Sequence, residues 1–147
     1  MNIQLSRRAA LLGSGALVVS FSLHGSIGSA KAQGMAKPVT LTEVDSFLAI
    51  DKAGNVTVYS GKVDLGTGIT TALRQIVAEE LDIPTSRIEL VQGDTSLTPD
   101  QGTTWGSLTI QVGGVQLRQA AAAARQALIT EAGKKLGTDQ LAVTDGV

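Results

Sequence analysis

Two short runs near the middle of the chain alternate between apolar and polar residues. They cover Ser46–Ile50 and Val56–Ser60, and this period of two predicts a pair of β-strands. The residues between them, Asp51–Asn55, include a glycine and several residues that favour turns. The pattern therefore predicts a β-hairpin.

After the hairpin the apolar period changes to that of a helix. Apolar residues share one helical face from Ile69 onwards, and the set is Ile69, Ala72, Leu73, Ile76, Val77 and Leu81. Pro84 is expected to end this helix, because proline cannot continue the hydrogen-bond ladder. A further strand is predicted at Ile88–Gln92, and a long loop follows at Gly93–Trp105.

A second helix is predicted to begin near Ser107 or Gly113 and to end around Gly133–Gly137. Its middle is rich in alanine, the strongest helix former. Leu141–Thr144 has the pattern of a starting strand, and a turn signal follows just before the chain stops at Val147. We expect the chain to be the front part of a larger domain. The predicted fold class is α+β: a β-hairpin, a helix, a strand, a long loop and a helix.

Two loops stand out because each is predicted to precede a helix. The first is Gly66-Thr67-Gly68, and the second is Thr103–Ser107, which reads TTWGS. Backbone N–H groups and hydroxyls at helix N-termini can hold an anionic ligand. Neither loop matches a P-loop or the dinucleotide-binding fingerprint. Taken alone, the first loop favours a tight strand-to-helix connection, and the second is compatible with a simple helix cap.

The first 32 residues have the features of an export signal. The pair Arg7-Arg8 precedes the apolar run Ala9–Leu23, and Ala30-Lys31-Ala32 fits a signal-peptidase site. The arginine pair favours the twin-arginine route, with an ordinary secretory leader as the alternative. Residues 33–45 are then a polar linker, and residues 46–147 form the folded part. We expect a periplasmic protein that touches the membrane only indirectly.

The composition removes several classes of function. The chain has no cysteine, and its single histidine is His24, within the predicted leader. This excludes zinc, haem or iron–sulfur ligation by Cys or His and the usual nucleophilic triads in the mature chain. The formal net charge of −1 gives no reason to expect nucleic acid. Asp64, Asp94 and Asp100 lack calcium-loop spacing and are interpreted as solvated loop acids.

Taken together, three segments resemble a known family. They are Gly61–Leu73 (GKVDLGTGITTAL), Ile83–Thr95 (IPTSRIELVQGDT) and Thr103–Gly114 (TTWGSLTIQVGG). The chain is similar to the molybdopterin-binding large subunits of the xanthine dehydrogenase/aldehyde oxidase family. The nearest branch is that of isoquinoline 1-oxidoreductase and nicotinate dehydrogenase β-subunits. The resemblance covers about Ser46–Val147, so this region would be part of a molybdopterin-binding domain.

The resemblance implies a set of cofactor-binding residues in the two loops. Those residues are Gly66, Thr67, Gly68, Thr104, Trp105, Gly106 and Ser107. In the family the first loop usually reads G-Q-G, and its glutamine hydrogen-bonds the pterin, so Thr67 is a departure. Trp105 is bulkier than the usual residue. The implied cofactor is molybdopterin, with the cytosine dinucleotide as one form open to it, and its own dithiolene sulfurs hold the molybdenum.

The resemblance also implies the reaction and the partners. The reaction would hydroxylate an aldehyde or an N-heterocycle with oxygen from water. Electrons would leave through an iron–sulfur small subunit and, in some complexes, a cytochrome c subunit. The family's general-base Glu lies beyond Val147, so we assign no catalytic residue and no metal ligand. Whether the chain itself is an enzyme stays open, and we expect it to be inactive alone. The alternatives are an exported non-catalytic binding module and a truncated pseudogene product.

Overall fold

The fold is built on a small mixed sheet. The computed structural model describes residue 41, residues 43–138 and residues 140–146. The strands are β1 (Leu48–Ile50), β2 (Val56–Ser60) and β3 (Ile88–Gln92), in the order β1-β2-β3. β1 and β2 are antiparallel, whereas β2 and β3 are parallel. The predicted leader and most of the predicted linker lie outside the described residues.

The hairpin turn is formed by one aspartate. The carboxylate of Asp51 accepts hydrogen bonds from the Ala53 N–H at 2.8 Å and from the Asn55 N–H and side-chain amide at 2.9 Å. These bonds to the charged form, led by the Asn55 side chain, lower the pKa of Asp51. Gly54 has φ 82°, a conformation that glycine adopts without strain. The turn signal in the sequence thus has a direct physical basis.

Helix α1 (Ile69–Leu81) connects the two parallel strands. Its apolar face buries Leu73, Val77, Ala78 and Leu81. Asp82 caps the C-terminus of the helix with φ 54°, and Pro84 follows two residues later. Two parallel neighbouring strands need a crossover connection, and α1 provides it.

The second helical segment begins with a π-helical turn, Thr109–Gly114, and continues as helix α2 (Val115–Leu136). Leu117, Ala120, Ala121 and Ala124 are its buried residues. The small side chains let α2 pack closely on α1. A Cβ on Gly114 would lie 3.0 Å from Ile76 Cδ1, so a larger residue there would require the Ile76 side chain to shift. The helix ends at Gly137, which has φ 66°.

The core lies between one face of the sheet and the two helices. Ile50, Val56 and Ile88 form one row across the three strands, and all are buried. The helices supply the opposite side of the core. Full burial of one leucine such as Leu73 contributes about 2 kcal/mol to folding. No helix among residues 43–138 is both long and apolar enough to cross a bilayer.

The α+β class and the element order are confirmed, and two strand predictions are wrong in detail. Val44–Ser46 is a short 3-10 helix, so the first strand begins at Leu48 rather than Ser46. Val44 is fully buried, which places the end of the predicted linker in the core. Residues 141–144 do not form a strand, although a turn follows them as expected.

Candidate functional site

The two predicted loops leave the same edge of the sheet. β2 and β3 are parallel, and their last residues, Ser60 and Gln92, are paired in register. The glycine loop follows Ser60 and the long loop follows Gln92. Ligands of open α/β sheets bind outside the carboxyl ends of parallel strands. The topology therefore brings together two segments that are about forty residues apart in the sequence.

Asp64 organises the glycine loop. One carboxylate oxygen accepts the N–H groups of Gly66 and Thr67, both at 2.9 Å. The other accepts the N–H of Thr70 at 3.1 Å and its hydroxyl at 3.0 Å. Because these bonds favour the charged form, with the Thr70 N–H contributing most, they lower the pKa of Asp64. Asp64 thus supplies the first turn of α1 with an acceptor that its N-cap, Gly68, cannot provide.

Gln101 connects the segments that flank the two loops. Its side chain is only 5% exposed. The amide oxygen accepts hydrogen bonds from the Gly61 N–H at 2.9 Å and the Ser60 hydroxyl at 3.1 Å. The amide nitrogen donates to the Gln116 side chain at 2.8 Å and to the Gly113 carbonyl at 3.4 Å. One buried amide therefore connects the end of β2 to the start of the second helical segment.

Close backbone contact accompanies this junction. A Cβ on Gly61 would lie 2.0 Å from the carbonyl oxygen of Pro99, so only glycine fits there. Two residues later the Val63 N–H donates to the Thr104 hydroxyl at 3.1 Å. The segment that enters the glycine loop is thereby hydrogen-bonded to the segment that enters the second loop.

Lys62 and Gln92 complete the contacts at this edge. Lys62 is 2% exposed, and its ammonium donates to the carbonyls of Gly102 at 3.1 Å and Thr103 at 2.8 Å. The Gln92 amide nitrogen donates to the Lys62 carbonyl at 2.9 Å. The Gln92 amide oxygen lies 3.1 Å from the Thr70 hydroxyl and shares its one proton with Asp64. Lys62 connects the end of β2 to Gly102 and Thr103, and Gln92 connects the end of β3 to Lys62 and Thr70. These contacts hold the edge together as one unit.

The second loop has an unusual backbone. Gly106 and Ser107 have φ 56° and 59°, and the left-handed conformation costs a non-glycine residue such as Ser107 about 1–2 kcal/mol. The π-helical turn follows directly, and such turns are frequent at functional sites. Trp105, within this loop, is 69% exposed, and Leu65, just before the glycine loop, is equally exposed. Two large apolar side chains are thus exposed to solvent at this edge.

The three loop aspartates are not simply solvated acids. Asp64 shapes the glycine loop, as described above. Asp94 accepts the Ser96 hydroxyl at 2.6 Å and the Ser96 N–H at 2.9 Å, which lowers the pKa of Asp94. Asp100 accepts the Gly102 N–H at 2.8 Å. Among the described residues, no group of three acidic or histidine side chains is placed to hold a metal ion.

The chain matches a family model along nearly its whole length. The model is that of the molybdopterin cofactor-binding domain, and the match covers residues 6–147. The chain belongs to this family. The match confirms the resemblance seen in the sequence, and with it molybdopterin as the cofactor of the domain.

Similar proteins agree with that assignment. A nicotinate dehydrogenase subunit of Pseudomonas putida is 44% identical over 117 residues, which is 78% of this chain and 10% of that protein. The 6-hydroxypseudooxynicotine dehydrogenase complex subunit gamma of Paenarthrobacter nicotinovorans is 39% identical over 92 residues, 63% of this chain and 11% of that protein. Aldehyde oxidase 3 of Rattus norvegicus is 40% identical over 67 residues, 46% of this chain and 5% of that protein. The chain spans about a tenth or less of these relatives.

The described residues of this molybdopterin-binding domain fit part of a cofactor site. Thr67 and Ser107 carry exposed hydroxyls on the two loops, which suit the polar atoms of a pterin. The N–H groups of Gly66 and Thr67, in contrast, already donate to Asp64. A ligand could accept hydrogen bonds from those two N–H groups only if their bonds to the Asp64 carboxylate were broken. The expectation that the glycine loop offers free backbone donors therefore does not hold for this pair.

The structure places all the sequence-predicted site residues of the domain on the two loops at one sheet edge. Two open grooves, of about 630 and 520 Å³, lie elsewhere on the described surface, and neither is lined by a predicted site residue. Sequence reasoning missed Lys62, Gln92 and Gln101. The only signal in the sequence is their position. Lys62 follows β2 by two residues, Gln92 is the last residue of β3, and Gln101 precedes the second loop.

Proposed function

We propose that this chain forms one wall of the cofactor site in a molybdenum hydroxylase large subunit that oxidises an aldehyde or an N-heterocycle. The observation that carries the proposal is that both loops follow the paired carboxyl ends of β2 and β3, where Gln101 connects their flanking segments. Bound molybdopterin with its molybdenum would supply the redox chemistry, and water would supply the oxygen. The residues of this chain bind and orient the pterin through hydroxyls of both loops.

The rest of the site comes from further protein packed over the loops. Leu65 and Trp105 are both exposed at this edge, and large apolar side chains in such positions favour docking of a protein surface. Two of the similar proteins are named as subunits of dehydrogenases, so they work within multi-subunit assemblies. We propose that the remaining part of a large subunit covers this edge and provides the general-base Glu. An iron–sulfur subunit, with a cytochrome c subunit in some complexes, would accept the electrons.

A chimaera tests the cofactor assignment. The matched region of the nicotinate dehydrogenase subunit of Pseudomonas putida is replaced by the corresponding residues of this chain. We expect the purified chimaera to retain molybdenum and an extractable pterin, and the 147-residue chain alone to retain neither. A folded chimaera that contains no molybdenum would contradict the proposal. Metal content by mass spectrometry and pterin fluorescence are independent of turnover.

Variants of the chimaera locate the contact. Thr67→Gln restores the amide usual in the family, and we expect it to increase the fraction of molecules that retain pterin. Ser107→Ala should decrease that fraction, whereas Thr130→Ala should not change it. Thr130 is the matched control because its hydroxyl donates to the Gln126 carbonyl within α2. Equal retention in all variants would mean that the loops do not hold the pterin.

We further propose export by the twin-arginine route, because Arg7-Arg8 precedes a short apolar run. Residues 1–34 fused to a reporter should place it in the periplasm. Replacement of both arginines by lysine should prevent this, and so should a host without the twin-arginine translocase. Export that continues in that host would support an ordinary secretory leader instead.

A further inference from the structure

Lys62 carries a buried charge that the proposed pterin contacts do not use. Its side chain is 2% exposed and forms no ion pair with any carboxylate of residues 43–138. The ammonium has two acceptors, the carbonyls of Gly102 and Thr103, at 3.1 and 2.8 Å. Gly113 packs against the stem, where a Cβ would lie 3.0 Å from Lys62 Cγ. A lysine is rarely kept in such a place without a partner for its charge.

The two carbonyls determine where two N–H groups point. The Gly102 carbonyl shares a peptide plane with the Thr103 N–H, and the Thr103 carbonyl shares one with the Thr104 N–H. Peptide bonds in the described chain are trans, so C=O and N–H of each plane point in opposite directions. Lys62 holds both carbonyls on its own side. Both N–H groups therefore point away from the ammonium.

These two N–H groups differ from those of the glycine loop. The structure gives the Thr103 and Thr104 N–H groups no acceptor among the described residues, whereas the N–H groups of Gly66 and Thr67 donate to Asp64. Backbone N–H groups without an acceptor bind water or a ligand. Two consecutive donors suit an anionic oxygen. The Lys62 charge lies behind the same two peptide planes and forms no ion pair among the described residues.

We propose that Lys62 is the positioning residue of an anion site whose donors are the Thr103 and Thr104 N–H groups, and that this site takes a phosphate group. The inference rests on the proposed function, since the phosphate of a bound pterin cofactor is one source of that group. Free phosphate is the other source. Lys62 acts in two ways: it orients the two peptide planes, and its charge favours the anion.

Amide NMR of the isotope-labelled 147-residue chain tests the site with inorganic pyrophosphate as the probe. We expect the Thr103 and Thr104 amide signals to move downfield and to saturate, while those of Gly66 and Thr67 stay in place. Sodium chloride at equal ionic strength is the reference titration. The proposal is overturned if the Thr103 and Thr104 signals do not move, or if chloride moves them equally.

Matched lysine variants test the role of Lys62. We expect Lys62→Met to weaken pyrophosphate binding at least about tenfold and Lys52→Met to change it less than about twofold. Lys52 lies in the exposed hairpin turn, so its replacement removes the same charge from another place. Thermal unfolding shows whether each variant is folded. A folded Lys62→Met variant that binds pyrophosphate normally would reduce Lys62 to a structural role and overturn the proposal.

If Lys62→Met does not fold, the comparison of the two amide pairs in the unchanged chain still decides whether the site exists. The cofactor-loaded chimaera then separates the two sources of phosphate. Added pyrophosphate leaves the Thr103 and Thr104 signals in place if the cofactor occupies the site, and moves them if the site takes free phosphate. A chimaera without cofactor, with the pyrophosphate response intact in the chain, would contradict the proposed function but not the anion site.

Discussion

Replacement of Gln101 by methionine removes the buried amide that connects the segments flanking the two loops. The two side chains have similar volume, so the change removes hydrogen bonds with little loss of packing. The Gly61 N–H loses its acceptor at 2.9 Å, and the Ser60 hydroxyl keeps an alternative, the Lys62 carbonyl at 3.2 Å. The Gln116 side chain loses a donor at 2.8 Å. The perturbation is therefore concentrated on one partly buried N–H, that of Gly61.

The expected loss of stability follows from these bonds. A buried donor left without an acceptor costs about 1–3 kcal/mol, and a further hydrogen bond contributes about 1 kcal/mol. We therefore expect Gln101→Met to reduce the free energy of unfolding by about 3 kcal/mol. For a domain of this size that loss lowers Tm by roughly 12–24 °C.

Urea and thermal unfolding of the purified chain measure the effect. Gln116→Met is the matched control, because it removes only the partner at 2.8 Å and leaves the Gly61 N–H satisfied. We expect that variant to lose about 1 kcal/mol. Equal losses in the two variants, or a loss below about 1 kcal/mol for Gln101→Met, would refute the assignment of Gln101 as the main connection.

Three further predictions concern other contacts. Gly61→Ala should cost about 3 kcal/mol or more in urea unfolding, because its Cβ would meet the Pro99 carbonyl at 2.0 Å; a neutral substitution would show that the backbone is free to move. The pKa of Asp64 is lowered by folding, so its stabilising effect is present above the unfolded pKa of about 3.9 and lost as pH falls through the lower folded value. Asp64→Asn should therefore lower Tm at pH 7 by more than it does below the unfolded pKa, and a pH-independent difference would contradict this. Arg118→Gln breaks an exposed ion pair with Glu80 at 2.7 Å and should cost less than about 1 kcal/mol; a loss above about 2 kcal/mol in the same assay would contradict a surface role.

The regular elements could be predicted because each has a local cause. The helical face from Ile69 to Leu81 and the strand Ile88–Gln92 have the bounds that the pattern indicates. The start of the first strand could not be predicted, because alternation does not distinguish Ser46 in a strand from Ser46 in a 3-10 turn whose neighbour Val44 enters the core. The π-helical turn gives no sequence signal that separates it from an α-helix.

The site was predictable as two loops but not as a junction. The glycines and hydroxyls show which segments matter, and parallel pairing of β2 with β3 then brings them to one edge. The contacts of Lys62 and Gln101 join residues about forty positions apart, and no local period records them. The role of Asp64 was missed for a different reason. Its partners are close in sequence, yet a loop acid looks the same whether it faces water or backbone N–H groups.

The pairing of Ser60 with Gln92 restricts how the length of the chain can vary. Strand residues alternate between faces, so one residue inserted within Ile88–Gln92 would turn the Gln92 amide to the opposite side of the sheet and disconnect it from Lys62 and Thr70. From Asp94 to Ser96 the side chains are exposed or half-exposed and the hydrogen bonds of Asp94 and Ser96 stay within one turn, so additions there leave the junction intact. Insertions and deletions in homologous genes should therefore accumulate in that short interval and be rare on either side of it.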